Sequence, residues 1–185
     1  MNHLKDSEET RNKIHYAYIL VKEWLKLRKK NKKKFKKCLN PNGKVFKKQE
    51  EGLAELKIGV DAYIYDLDKP ACLKIRYYSD ALKKKFKRDL SFDECKRAEC
   101  KKTVSDITEE HMICRSVLRD EFIKMIKNKK SEKHVFNFLN KHLMICTMTL
   151  DEEKRLRLVK NRTGLDWKKY YKKAKISKTH KAISK

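Results

Sequence analysis

Four residues in the middle of the chain have side chains that suit tetrahedral zinc: Cys95, Cys100, His111 and Cys114. Structural zinc sites are built from thiolate sulfur and imidazole nitrogen. The spacing here, C-x4-C-x10-H-x2-C, is not a standard one. His111 and Cys114 also fall on the apolar stripe of an expected helix, where cysteine behaves as a small hydrophobe. We therefore predict a core role for these residues and do not expect Zn²⁺.

A second group of polar residues lies on an expected β-hairpin. Its first strand would carry Gly59-Val60-Asp61, and its second strand would carry Leu73-Lys74-Ile75-Arg76. These two segments resemble the core of restriction-endonuclease-like nucleases, the PD-(D/E)XK family. In that family a helix precedes a hairpin whose first strand brings an Asp, and whose second strand brings an acid and a Lys two residues apart.

The resemblance implies a metal-dependent nuclease that uses Mg²⁺. Asp61 would hold the ion, with Glu51 or Glu55 of the preceding helix as a further acid, because Mg²⁺ prefers oxygen ligands. Lys74 or Arg76 would activate water or stabilise charge on the phosphate. This function is the alternative to the one that the charge of the chain favours.

The sequence departs from the family pattern at one carboxylate. Cys72 stands two residues before Lys74, and Lys74 stands two residues before Arg76, so neither register contains the second acid. Asp66 and Asp68 lie near enough to replace it. Carboxylates in a turn between strands more often bond their own backbone.

The strongest signal for function is charge. The chain has 50 Lys and Arg against 25 Asp and Glu, for a formal net charge of +25. Such an excess indicates a polyanionic partner, and nucleic acid comes first because each neutralised phosphate releases a counterion. The predicted phosphate-contacting residues are Arg28, Lys29, Lys30, Lys32, Lys33, Lys34, Lys36, Lys37, Lys83, Lys84, Lys85, Lys87, Arg88, Lys168, Lys169, Lys172 and Lys173.

Lysine dominates these basic segments, and its point charge lacks the planar fork with which arginine reads guanine. We therefore expect weak sequence preference and a steep dependence of affinity on salt, with DNA and RNA both as candidates. Anionic membrane is the second candidate partner. No run approaches the about 18 apolar residues of a membrane span, and the polar first residues do not resemble a signal peptide, so we expect an intracellular protein.

Two further features suggest nucleic-acid contacts. The segment Thr163-Gly164-Leu165-Asp166 resembles the turn of a helix-turn-helix, which would direct Trp167 and the following lysines toward DNA. The tyrosine pairs Tyr77-Tyr78 and Tyr170-Tyr171 lie among basic residues, as base-stacking side chains do in single-strand binders.

In the first half of the chain, helical spacing of apolar residues predicts an amphipathic helix from Ser7 and a short helix through Leu53 and Leu56. Alternation over residues 60–65 and 71–78 predicts the hairpin described above. A further strand is expected over residues 86–92. Ser91 and Glu94 alternatively form a capping box that opens a helix.

In the second half, residues 105–127 have the pattern of one helix, and a second helix follows the cap Ser131. Residues 143–150 have strand composition, and residues 155–159 alternate like a partner strand. Thr149 and Glu152 alternatively form a capping box that opens a helix there. After Gly164 we predict a helix over residues 165–174 and a lysine-rich tail that frays.

These elements indicate one α/β (α+β) domain in which helices pack on a small sheet built from hairpins, with basic flexible ends. The core would cover residues 1–165, including the basic helix end at 28–37, and residues 166–185 would form a basic helix and tail. The expected function is nucleic-acid binding through phosphate contacts. Besides the nuclease, the alternatives are a transcription regulator of viral or mobile-element type and a structural component of a ribonucleoprotein.

Overall fold

The computed structural model describes residues 2–30, 49–69, 71–95 and 106–183. These residues form seven helices and four strands. The helices are α1 (Glu8–Lys30), α2 (Gln49–Leu67), α3 (Asp80–Phe86), α4 (Arg115–Lys127), α5 (Glu132–His142), α6 (Leu150–Arg157) and α7 (Trp167–Lys173). The strands are β1 (Ile75–Ser79), β2 (Ile107–His111), β3 (Ile145–Thr149) and β4 (Thr179–Ile183).

The four strands form one mixed sheet in the order β2-β3-β1-β4. The central strands β1 and β3 are parallel, with Tyr77 opposite Cys146. Each edge strand is antiparallel to its neighbour. The single α/β domain predicted from sequence is confirmed, but the sheet is not built from hairpins, because one or more helices separate each pair of hydrogen-bonded strands in the chain.

The first predicted hairpin is wrong in its first strand. Residues 60–65 belong to α2, and only the second segment forms a strand, β1. The reason lies in the spacing of the buried side chains: Leu56, Val60, Ile64 and Leu67 recur at helical intervals and are all buried. The alternation of residues 60, 62 and 64 has the period of a strand, but Ala62 is exposed.

The stretch predicted as one helix over residues 105–127 is a strand followed by a helix. Ile107–His111 form β2, which pairs with β3, and α4 begins only at Arg115. Glu109 and Glu110, acids of a type common in the first turn of a helix, lie on this strand instead. Pairing with a strand about 40 residues away overrides the local helical pattern.

Both interpretations of residues 143–152 hold in part. Ile145–Thr149 form a strand, and Thr149 with Glu152 forms a complete capping box that opens α6. The expected partner strand at residues 155–159 is wrong, because α6 continues to Arg157.

The strand expected over residues 86–92 is likewise absent, since α3 ends at Phe86. Ser91 and Glu94 make the reciprocal contacts of a capping box.

Most of the core lies between the sheet and the helices α1, α2, α4 and α5. It contains large buried side chains from each layer, such as Ile14 of α1, Ile64 of α2, Phe122 of α4 and Leu139 of α5. A smaller cluster, centred on Tyr78 and Leu82, lies beneath α3 and the segment that follows it. None of the helices in the described ranges is long and apolar enough to cross a membrane.

The basic tail is part of the sheet. Thr179–Ile183 pair along the whole of β1, from Ile75 opposite Ile183 to Ser79 opposite Thr179. The prediction that this segment frays is wrong, because buried Ala182 and Ile176 attach it to the domain. The predicted helix before it is confirmed as α7.

Candidate nucleic-acid interface

Asp61 does not lie on the strand, paired with the segment of Lys74 and Arg76, that the nuclease resemblance implies. It lies on α2, where its Oδ2 accepts a hydrogen bond from Nη1 of Arg119 on α4 at 2.8 Å. Lys74 is exposed just before β1, and its backbone N–H donates to the carbonyl oxygen of His3 at 2.7 Å. Without the predicted first strand, Asp61 connects two helices of the bundle.

Arg76, the other predicted catalytic cation, is a buried structural residue of β1. Its side chain is only 4% exposed. It pairs with Glu109 of β2, donates from Nη2 to the carbonyl oxygen of Asp68 at 2.9 Å, and lies 5.5 Å from the ring centre of Phe92. These contacts leave its charge compensated inside the protein. The side chains of Glu51 and Glu55 lie outside the described part of the structure.

Of the four residues whose types suit zinc, the three that the structure describes are not grouped as a metal site. Cys95 is buried in the small cluster beneath α3, and Cys100 lies outside the described residues. His111 ends β2 rather than lying on a helix, with Nε2 2.7 Å from Oδ2 of Asp68. Cys114 is the N-cap of α4, where burial raises the pKa of its thiol. Within the described ranges, no three His, Cys, Asp or Glu residues are grouped as a metal site.

A polar cleft of about 690 Å³ lies between the end of α2, β2 and α6. Most opposite charges in and around it are already paired. Arg157 donates to Glu153 at 2.5 Å and Arg162 to Glu110 at 2.7 Å, besides the pair of Arg76 with Glu109 described above. Arg115, which also lines the cleft, lies 5.2 Å from the ring centre of Tyr65 and has no ion pair with a described carboxylate. A cleft in which most cations are matched by carboxylates exerts little net attraction on a polyanion. It is therefore a weaker candidate for phosphate binding than its arginines alone suggest.

The predicted basic segment 83–88 is also largely neutralised. Lys83 pairs with Asp89 at 2.8 Å, Lys84 with Asp80 at 3.0 Å, and Lys85 with Asp106 at 3.1 Å. Arg88 pairs with Glu94, and this hydrogen bond lowers the pKa of Glu94 to about 2. Lys87 is exposed in the left-handed conformation that ends α3. Phosphate would have to compete with a carboxylate at four of these five cations.

The lysines of α7, unlike most cations of residues 83–88, have no carboxylate partner among the described residues. Lys168, Lys169, Lys172 and Lys173 are all exposed, and none of them forms an ion pair with a carboxylate of the described residues. The sequence explains the contrast, because Asp166 is the last acid of the chain. Asp166 itself is the N-cap of α7, where it accepts from the backbone N–H of Lys169 at 3.4 Å.

Two of these lysines, Lys168 and Lys172, line a surface groove of about 700 Å³ that continues to the start of β4. We call it the lysine groove and define it by Trp167, Lys168, Lys172, Lys175 and Lys178. Its four cations come from a stretch of eleven residues. Their exposure and lack of described carboxylate partners make this groove more positive than the polar cleft, where carboxylates lie among the cations.

The end of α7 shapes the groove through a Schellman motif. The N–H of Ile176 donates to Tyr171 O at 2.9 Å, and the N–H of Lys175 donates to Lys172 O at 3.1 Å. Lys175 adopts a positive φ of 58°, and Ile176 is buried. The motif therefore turns the chain so that an apolar side chain anchors the groove while the lysine before it remains exposed. On the side of the groove away from α7, the carbonyl oxygen of Lys178 accepts a hydrogen bond from the N–H of Asp80 at 3.0 Å, which fixes the backbone there.

The tyrosine pairs proposed as base-stacking residues belong mainly to the core. Tyr77, Tyr78 and Tyr171 are buried. The hydroxyl of Tyr170 accepts a hydrogen bond from the N–H of Gly164 at 2.9 Å, which holds its ring against the preceding loop. The aromatic residue that lines the groove with partial exposure is Trp167, which the helix-turn-helix comparison had also placed toward nucleic acid.

The helix-turn-helix turn itself does not form. Helix α6 ends at Arg157 and α7 begins at Trp167, so nine residues connect them. A helix-turn-helix has a turn of about three or four residues. The physical reason is that residues 158–166 contain a bend and the N-cap Asp166 rather than a continuous helix up to Gly164.

The first predicted basic segment, residues 28–37, lies mostly beyond the described structure. Helix α1 continues to Lys30, but the side chains of residues 28–30 and the whole of residues 31–37 are outside the described part. Lys32, Lys33, Lys34, Lys36 and Lys37 are therefore assigned from sequence alone.

Comparison of the chain with protein-family models, with curated proteins and with solved structures finds no match.

Proposed function

We propose that this protein binds DNA or RNA chiefly through phosphate contacts from lysine side chains, and that the lysine groove is one of its contact surfaces. The observation that carries the proposal is the contrast between two basic segments. Four of the five cations in residues 83–88 pair with carboxylates, whereas the exposed lysines of the groove have no ion pair among the described residues. Unpaired lysines can exchange counterions for phosphates without first breaking an internal ion pair.

The lysine groove also has the composition of a non-specific interface. Its four cations are all lysines, which contact phosphates as point charges and read bases poorly. Two of them, Lys168 and Lys172, lie one helical turn apart on the same side of α7, about 6 Å along its axis. Such a row suits successive phosphates of one backbone.

The test compares two triple variants that lose the same charge. Lys168→Gln/Lys172→Gln/Lys178→Gln removes three groove cations. Lys127→Gln/Lys133→Gln/Lys141→Gln removes three exposed lysines on or next to α4 and α5, far along the chain from the groove. Affinities for labelled DNA and RNA are measured by fluorescence anisotropy across a salt series.

The groove variant should lose about 100-fold in affinity at 0.1 M salt, because three phosphate contacts contribute about two decades there. The slope of log K against log[salt] should fall in magnitude by about 2 to 3. The control variant should change the affinity and the salt slope by much less. Equal losses in the two variants would show that the net charge matters and the groove does not.

The nuclease alternative is tested with the same protein and substrates. Products are run on a denaturing gel with and without Mg²⁺. We expect intact nucleic acid, because Asp61 and Arg76 are engaged by Arg119 and Glu109 in the described structure. Fragments that require Mg²⁺ and vanish in Asp61→Ala, while binding persists, would replace the binding proposal with the enzymatic one.

A further inference from the structure

The lysine groove combines a cationic rim with an aromatic and apolar lining. Trp167 lines it with partial exposure, while buried Tyr171 and Ile176 contribute to its inner surface. The rings of Trp167 and Tyr171 pack at 79° with their centres 5.2 Å apart. This contact holds the indole in one orientation, so little side-chain entropy remains to be lost when a flat ligand packs on it.

We infer that the lysine groove takes single-stranded nucleic acid, with an unpaired base stacked on Trp167 and the flanking phosphates contacted by the groove lysines. This inference rests on the proposed nucleic-acid binding and names the form of nucleic acid that this surface prefers. The Nζ of Lys168 lies over the Trp167 ring, 5.9 Å from its centre, so this exposed side chain moves from the ring to a flanking phosphate when a base stacks on that face. Aromatic platforms beside cations are the usual means of holding single strands without sequence preference.

A duplex fits this surface less well for two reasons. Its bases are paired and stacked within the helix, so an indole at the groove could reach them only after unstacking, which costs a few kcal/mol per step. The helix that carries the lysines is also short: the seven residues of α7 span about 10 Å. A single strand exposes the faces of its bases and brings its phosphates to the lysines at the same time.

The chain offers a specific optical probe for this contact. It contains two tryptophans, and Trp24 is a core residue that is only 5% exposed. The variant Trp24→Phe therefore leaves Trp167 as the single tryptophan without altering the groove. Titration with an oligo(dT) strand of about 12 nucleotides, a length within single-strand site sizes, should quench its fluorescence. A duplex of the same length should bind more weakly and quench little.

A second measurement gives the energetic contribution of the indole. Trp167→Leu should weaken binding of the single strand by about 5- to 150-fold, the equivalent of one stacked base, and should change duplex affinity by less than about 2-fold. Trp167→Phe, which keeps a ring on the same helix, should recover part of the loss. The matched control is Tyr65→Leu, because Tyr65 is 55% exposed on α2 and lies outside the groove.

The outcomes separate this inference from the function on which it rests. Single-strand binding with quenching of Trp167 and a selective loss in Trp167→Leu supports it. Duplex binding that equals or exceeds single-strand binding, with Trp167 unquenched, would overturn the inference and leave the proposed function standing. Failure of the unmodified protein to bind either form at low salt would overturn both.

Discussion

The hydroxyl of Ser79 donates a hydrogen bond to Oε2 of Glu152 at 2.6 Å, and both residues are buried. Ser79 is the N-cap of α3, and Glu152 completes the capping box of α6 by accepting from the N–H and hydroxyl of Thr149 at 3.1 Å. Because β1 and β3 are parallel neighbours, their carboxyl ends lie side by side, and α3 and α6 begin there. The carboxylate of Glu152 thus links the two junctions at which a strand passes into a helix.

This link predicts coupled losses of stability. Ser79→Ala should lower the free energy of unfolding by about 1 to 2 kcal/mol and Glu152→Ala by about 2 to 3 kcal/mol, since buried hydrogen bonds to a charged group are lost. Urea unfolding of both single variants and the double variant measures the coupling. The double variant should lose clearly less than the sum, because either substitution alone already breaks the shared bond.

The control for this cycle is Ser131, the N-cap of α5. Its side chain bonds no backbone N–H and instead lies 2.7 Å from Nδ1 of exposed His134. Ser131→Ala should therefore cost less than about 1 kcal/mol. Additive losses at Ser79 and Glu152, or a loss at Ser131 as large as that at Ser79, would contradict the proposed link.

A second prediction concerns Asp61, which the sequence resemblance had assigned to catalysis. Asp61→Asn should lower the free energy of unfolding by about 1 kcal/mol, because it weakens the bond to Arg119 that joins α2 to α4. The loss is small because the Asp61 side chain is about one third exposed, so solvent screens its pair with Arg119. Nucleic-acid affinity should change by less than about 2-fold.

The comparison variant for Asp61 is Asp151→Asn, since Asp151 is a highly exposed acid in the first turn of α6. It should change stability only slightly. If Asp61→Asn left the unfolding curve unchanged but abolished a Mg²⁺-dependent cleavage by the unmodified protein, the structural role assigned to Asp61 would be wrong.

Local signals in the sequence predict those parts of the fold that local interactions decide. The apolar spacing of α1 and α5 and the capping boxes at Ser91 and Thr149 appear in the structure where the sequence places them. In each of these cases the stabilising contact joins residues three or four positions apart. Such contacts leave a signal in the local sequence pattern.

The failures involve contacts between distant residues. β2 contains Glu109 and Glu110, acids typical of a helix start, and is a strand because it pairs with β3. β4 contains His180 and Lys181 and is expected to fray, yet it pairs with β1 about 100 residues earlier. The groove depends on the same pairing, because β4 fixes Lys178 beside α7. The sequence therefore indicates its lysines but not their arrangement around Trp167.

A third prediction uses the left-handed residue that ends α4. Lys129 has φ of 59° in a Schellman motif, with its N–H donating to Ile126 O and that of Lys130 donating to Met125 O. Lys129→Gly should raise the free energy of unfolding by about 1 kcal/mol, because glycine adopts this conformation without the Cβ penalty. Differential scanning calorimetry measures the shift.

The same substitution two residues earlier is the matched control. Lys127 is the last residue of α4 and is also exposed. Lys127→Gly should destabilise the protein by up to about 1 kcal/mol, because glycine is unfavourable within a helix. Shifts of the same sign in the two variants would show that φ at Lys129 does not determine the effect.

A fourth prediction concerns the loop before α7. A Cβ added at Gly164 would lie 3.0 Å from the hydroxyl oxygen of Tyr170, which accepts the Gly164 N–H. Gly164→Ala should therefore lower stability by about 1 to 2 kcal/mol and shift α7 enough to weaken oligonucleotide binding. Tyr170→Phe removes the same hydroxyl. The double variant should be less destabilised than the sum, since no oxygen remains to clash with the new methyl group, and an additive loss would contradict this explanation.

The last prediction concerns pH. His3 is buried, with its backbone bonded to Asn140 and to Lys74 and its Nε2 3.5 Å from the hydroxyl of Tyr77. Burial lowers the pKa of His3 from 6.5 to about 4, with nearby His142 and Lys181 acting in the same direction. The folded state therefore favours the neutral ring. As the pH falls below 6.5, the unfolded chain binds a proton that the folded chain does not, so stability falls.

The free energy of unfolding should consequently decrease by up to about 3 kcal/mol between pH 6.5 and pH 4. His3→Gln should remove most of this slope, whereas His142→Gln should remove a smaller part, because burial also lowers the pKa of His142. The carboxylates with lowered pKa, such as Asp80 and Asp106, act at more acidic pH and do not account for this window. Urea unfolding at a series of pH values measures each slope, and an unchanged slope in His3→Gln would show that another group titrates there.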